Sequence, residues 1–141
     1  MTAPSRCTFC GIVAGDPAAR VLEDESFVAF LDVRPLFPGH TLLVPRDHHE
    51  TLIDLPAADV GPLFDRVRAL AGAMEDALGS QGSFVAVNNR VSQSVPHLHV
   101  HVVPRTKGDG LRGFFWPRQR YGSDEEMAAV ADRLRSSLAG R

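Results

Sequence analysis

The chain has 141 residues, a formal net charge of −2, and 44% hydrophobic and 23% charged side chains. That is material for one domain, residues 1–141, burying roughly two-thirds of its unfolded surface. Twelve glycines and ten prolines exclude a fibrous or low-complexity class, and apolar runs no longer than residues 27–31 exclude a spanning helix.

Residues 1–6 lack an apolar leader segment, so the expectation is a soluble, cytoplasmic protein with no membrane association. Cys7 and Cys10, in Cys-x-x-Cys spacing, are too few for a disulfide framework and are a zinc or redox candidate. Residues 7–15 predict a short helical turn closed by Gly15-Asp16-Pro17. Strands are predicted over 20–24 and 26–31 around an Asp24-Glu25 turn, followed by a buried strand over 40–45. Leu63, Phe64, Val67, Leu70, Ala71, Met74 and Leu78 recur at helical spacing, which predicts one apolar face of a helix over 59–79 with Gly79 as C-cap. Pro62 suits only its first turn. Further strands are predicted over 84–87 and 97–103, and Ser123-x-x-Glu126 opens a helix over 124–139. Hairpin-like strands with one long helix between them predict an α+β domain with a mainly antiparallel sheet.

Charge is unevenly placed. Arg90, Arg105, Lys107, Arg112, Arg118 and Arg120 face only Asp109 between residues 90 and 121, a net of +5 that leaves −7 elsewhere. This suits a small anionic ligand better than a long polyanion, so no nucleic-acid partner is expected.

The informative segment is Gln93-Ser94-Val95-Pro96-His97-Leu98-His99-Val100-His101-Val102-Val103. On a strand, His97, His99 and His101 share one face while Leu98, Val100 and Val102 face the core. Two chemistries compete: a metal site held by alternate imidazoles, and nucleophilic catalysis at phosphorus by a neutral imidazole, which is also a good leaving group. Asn88, Asn89, Gln93 and Ser94 offer amide and hydroxyl donors for phosphate oxygens, which favours the second. A hydrolytic zinc site would want a nearby carboxylate base, and between residues 77 and 123 only Asp109 is available.

The pattern His-x-His-x-His, with Cys7-Thr-Phe-Cys10, Phe27-Val-Ala-Phe-Leu-Asp32, Pro38-Gly39-His40-Thr-Leu-Leu-Val-Pro45, Gln93-Ser94-Val95 and Pro104-Arg105, resembles the histidine-triad (HIT) superfamily over residues 7–121. The likeness is to its bacterial zinc-containing, Hint-like branch. The resemblance implies an α+β HIT-like fold with about five antiparallel strands, one long helix, a short N-terminal helix and a C-terminal helix. It also implies a homodimer formed through the long helix and a strand.

By position, the resemblance makes His99 the nucleophile, forming a covalent nucleotidyl-histidine at the α-phosphate of a purine nucleotide. His101 contacts phosphate or leaving-group oxygens, His97 supports them, and His40 sits beside the nucleophile's ring. Asn88, Gln93 and Ser94 match phosphate and leaving-group contacts. Asp32 matches the ribose acceptor, with Phe30 and Val33 walling the base pocket. No catalytic metal is required. Cys7, Cys10, His48 and His97 match the ligands of a structural zinc, with His49 an adjacent substitute for His48. Two departures stand out: the loop 89–93 is short, and Ser92 replaces a glycine frequent in the family. Arg90 and Arg118 are candidates to read an additional anionic group, and Phe114, Phe115 and Trp116 are assigned to core or dimer packing. A nucleotide- or partner-binding module with vestigial hydrolysis, and a zinc metallohydrolase using all three triad histidines, are the alternatives.

Overall fold

A computed structural model describes residues 7–111 and 118–141. Arg112, Phe114, Phe115 and Trp116, singled out in the sequence, lie outside the described residues. The chain divides into two compact units, up to Asp109 and from Gly110 onward.

In the first unit, strands β1 (Arg20–Glu23), β2 (Phe27–Leu31), β3 (Thr41–Pro45), β4 (Gly82–Ala86) and β5 (Val100–Arg105) form one antiparallel sheet ordered β1-β2-β3-β5-β4. The tight β1–β2 turn is held by Asp24, whose carboxylate accepts the Ser26 and Phe27 N–H groups at 2.8 Å. Helix α1 (Thr8–Ala14) precedes the sheet and α2 (Ala57–Leu78) connects β3 to β4.

Strand alternation sends side chains to opposite faces. Phe27, Ala29, Leu43, Val100 and Val102 pack with Leu63, Val67, Leu70 and Met74 of α2 in one core cluster. Val28, Phe30, Leu42 and Val44 face the other way and pack with Phe9 of α1. The sheet thus has a structural face under α2 and a second face on which α1 lies.

Helix α2 starts earlier than the periodicity predicts and carries Pro62 in its second turn. The missing Pro62 N–H strips the Ala58 carbonyl of its helical partner. Both residues are exposed, so water can replace it. Phe64 and Leu78, assigned to the apolar face from spacing, remain 39% and 56% exposed. Gly79 closes the helix in the left-handed conformation (φ 68°), as its position predicts.

In the second unit, α3 (Asp124–Leu138) is capped by Ser123, whose hydroxyl accepts the Glu126 N–H. The Glu126 carboxylate accepts from Gly122 N–H rather than closing the reciprocal box. No helix among the described residues is long and apolar enough to cross a membrane.

Candidate functional site

The triad does not lie on one regular strand. β5 begins at Val100, and the segment 97–99 is irregular. Leu98, Val100 and Val102 nonetheless fill the α2-side core, so His97, His99 and His101 stay on the α1 side. His97 and His99 are almost fully buried, at 0% and 3% exposure, rather than solvated.

Each imidazole has a separate partner. His99 Nδ1 lies 2.8 Å from the His97 carbonyl oxygen. A carbonyl only accepts, so Nδ1 carries the proton and Nε2 keeps its lone pair. Burial depresses the His99 pKa against the opposite pull of that hydrogen bond and of Asp32, so the net shift favours the neutral ring. The ring lines a cleft of about 1070 Å³ whose wall also includes Phe9, Phe30, Asp32, Ser94 and His101. Phe9 packs edge-on to His99 (5.0 Å between centroids) and to Phe30 (5.4 Å). Sequence reading missed Phe9. Its signal was a lone aromatic between the two cysteines of a short helix.

The second chain of partners is Leu36, His40 and His101. Leu36 N–H donates to His40 Nδ1 at 3.0 Å, which places the His40 proton on Nε2. His40 Nε2 then donates to His101 Nδ1 at 2.9 Å, leaving His101 with its proton on Nε2. Burial lowers the His40 pKa, and burial with the neighbouring His99 and His40 pushes His101 down to about 4. Asp32 lies 3.7 Å from His40 Nε2 and accepts the Arg34 N–H at 2.9 Å. Asp32, His40 and His101 are close enough to hold a cation, but His40 could offer Nε2 to one only by reversing its tautomer against the Leu36 donor.

His97 turns to a third set. Its Nε2–H donates to the Pro45 carbonyl at 2.8 Å, so Nδ1 is the free donor atom. Nδ1 lies 3.4 Å from both Cys7 and Cys10 Sγ and 3.2 Å from His48 Nδ1, which is 3.2 Å from Cys10 Sγ. Tetrahedral zinc with ~2.3 Å Zn–S and ~2.0 Å Zn–N bonds would set ligand atoms roughly 3.3–3.8 Å apart. Two thiols and two imidazoles at these separations fit that group. Burial and the Cys7 thiol raise the Cys10 pKa to about 11, a penalty that a divalent cation reverses by binding the thiolate. The His97 carbonyl holding Nδ1 of His99 is thus the link between this cluster and the cleft. No group of potential metal ligands among the described residues contains all three triad imidazoles.

The expected phosphate-contact loop is pinned in place by its own amides. Gln93 Nε2 donates to the Glu50 carbonyl at 2.6 Å and its Oε1 accepts the Arg90 N–H at 2.9 Å. Asn89 Oδ1 accepts the Leu52 N–H at 2.8 Å, and Leu98 N–H donates to the His49 carbonyl at 2.7 Å. Ser94 reaches the cleft wall, whereas Asn88 and Gln93 are not among the lining residues. Val33 sits at the cleft's lip, 94% exposed. Arg90 and Ser92 adopt left-handed backbone (φ 67° and 60°) in this loop. Arg118 is exposed in the second unit.

Comparison with known proteins places this geometry among relatives. The family model described as the HIT domain matches residues 14–108. The protein named hit of Bacillus subtilis is 36% identical over 100% of this chain and 97% of its own length. The adenosine 5′-monophosphoramidase hnt1 of Schizosaccharomyces pombe is 34% identical over 94% of this chain and 98% of its own. A zinc-bound histidine triad family protein from Mycobacterium smegmatis superposes with a TM-score of 0.72 at 36% identity, covering 94% of this chain and 97% of that one.

Proposed function

Since the chain belongs to the HIT-domain family, we propose that it is a nucleotidyl hydrolase or transferase acting at the α-phosphate of a purine nucleoside 5′-phosphoryl compound through a covalent nucleotidyl-histidine. The observation that carries this reading is the His99 tautomer: Nδ1 is bound to the His97 carbonyl, so Nε2 is an unprotonated nucleophile on a ring that lines the cleft.

The base lies against Phe9 and Phe30, and the ribose hydroxyls donate to the Asp32 oxygen not taken by Arg34. His99 Nε2 bonds to phosphorus as the leaving group departs with its bonding pair. The Nε2–H of His101 donates to the developing charge, its direction set by His40 and Leu36. Water or another acceptor then bonds to phosphorus as the P–Nε2 bond breaks; the pair returns to Nε2 of neutral His99, and the acceptor's proton passes to the leaving group or to solvent. Ser94 on the cleft wall is the remaining hydroxyl donor. The monophosphoramidase name of the yeast relative supports a phosphoramidate among the substrates.

Zinc, when bound, supplies structural cross-linking at Cys7, Cys10, His48 and His97, and the zinc-bound relative supports this assignment. An apolar groove along α2, lined by Val21, Leu31, Leu70, Met74 and Leu78, supports the homodimer reading.

The test is turnover of an adenosine phosphoramidate by His99→Asn. The variant should lose turnover and the adenylyl-protein adduct while still binding AMP. Near-normal turnover, or AMP binding with no adduct ever trapped in the native protein, would refute the mechanism.

A further inference from the structure

The metal cluster and the cleft are built from the same seven-residue helix. Cys7 caps α1, its Sγ accepting the Cys10 N–H at 3.3 Å, and the helix then contributes Thr8, Phe9 and Ile12 to the cleft wall. A helix of two turns has no independent stability in water and takes its position from what anchors it. Apart from the cluster, its anchors are the packing of Phe9, Ile12 and Val13 and the Arg20 guanidinium on the Ile12 and Asp16 carbonyls. Without an ion, the cluster offers two thiols, which are weak donors, and two imidazole Nδ1 atoms facing each other at 3.2 Å. It then holds α1 only weakly.

We propose that metal occupancy of Cys7, Cys10, His48 and His97 sets the affinity of the cleft for nucleotide, by locking the Phe9 wall of α1 against His99. The inference rests on the nucleotide reading above and adds a control to it. His97 couples the two sites twice. Its ring is the cluster's buried member and its carbonyl orients His99, while Phe9 touches both rings at 6.0 and 5.0 Å. Linkage makes the effect reciprocal: whatever factor the metal adds to nucleotide binding, nucleotide must add to metal binding.

The experiment titrates AMP calorimetrically into zinc-loaded and chelator-stripped protein, with hydrogen exchange on both forms. Stripping should weaken AMP binding by roughly tenfold or more. Exchange should quicken in α1 and residues 46–52 while the sheet stays protected. Saturating AMP should tighten zinc, measured against a chromophoric chelator, by the same factor. Equal AMP affinity with and without zinc, or zinc affinity unmoved by AMP, overturns the proposal. Loss of protection throughout the sheet of the stripped protein also overturns it, because the linkage is then to global folding rather than to one wall. Failure of AMP to bind even the zinc-loaded protein removes the nucleotide reading itself.

Discussion

His40 donates its Nε2–H to Nδ1 of His101 at 2.9 Å because Leu36 N–H already occupies its own Nδ1. One backbone amide therefore decides where two imidazole protons reside, and leaves the outer nitrogen of His101 as a donor. Replacing His40 by Phe should leave the His101 tautomer unset. Turnover should fall by about tenfold or more while AMP affinity changes less, as expected for a contact that matters most in the transition state. An unchanged kcat would exclude His40 from orienting His101.

The depressed pKa of His101 makes folding acid-sensitive. The folded ring resists protonation until about pH 4, held down by burial and by His99 and His40 against the pull of Asp32. The unfolded ring takes up its proton near 6.5. Between these values the unfolded chain binds more protons, so this contribution to stability is full above about 6.5 and is lost as pH falls toward 4. Urea midpoints measured from pH 7 to 4.5 should decline, and His101→Gln, which cannot titrate, should decline less steeply. Parallel slopes would contradict the assignment.

The two left-handed residues of the 89–93 loop predict a gain of stability. A non-glycine residue at φ near 60° costs roughly 1–2 kcal/mol, partly offset by the larger unfolded-state entropy of glycine. Ser92→Gly should stabilise by about 0.5–1 kcal/mol in urea denaturation, and Ser92→Val should destabilise.

Gln93 distinguishes a brace from a ligand contact. Both ends of its amide are engaged, with the Glu50 carbonyl and the Arg90 N–H. Gln93→Ala should therefore loosen the loop, raising KM about threefold or more with kcat nearly kept. A large drop in kcat at constant KM would show instead that the amide turns to meet the leaving group.

Gly39 joins stability to the site. Its φ of 102° suits glycine, and an added Cβ would lie 2.5 Å from Leu78 Cδ1 and 3.3 Å from Pro104 Cγ. Gly39→Ala should cost about 2 kcal/mol, and activity should fall with it because His40 follows directly.

Much of this was legible because alternation and spacing are local. The five strands, the α2 apolar stripe, the Gly79 cap and the shared face of the triad followed from residue order. The partition of the three histidines came only from the family resemblance, which set His97 with Cys7, Cys10 and His48, a group the structure brings together. It depends on the carbonyls of Pro45 and His97 and the amide of Leu36, and no side-chain pattern marks a backbone group as a partner. The start of β5 differs for a related reason: the backbone of 97–99 is engaged by the His49 and Val95 carbonyls and by the His99 ring instead of a ladder. Pro62 misled because an exposed helix face tolerates a missing amide that a buried one would not. Phe9 was overlooked since the histidines it packs against lie about ninety positions downstream.

The two-residue repeat of the pleat also makes the site sensitive to chain length in one stretch. Inserting a single amino acid between Leu98 and Val102 would rotate imidazoles into the oily layer beneath α2 and turn valines toward the α1 side and the cleft. Two would restore the facing, and length changes within 89–92 would leave it untouched. The imidazole face is thus tied to an even count of residues along this stretch.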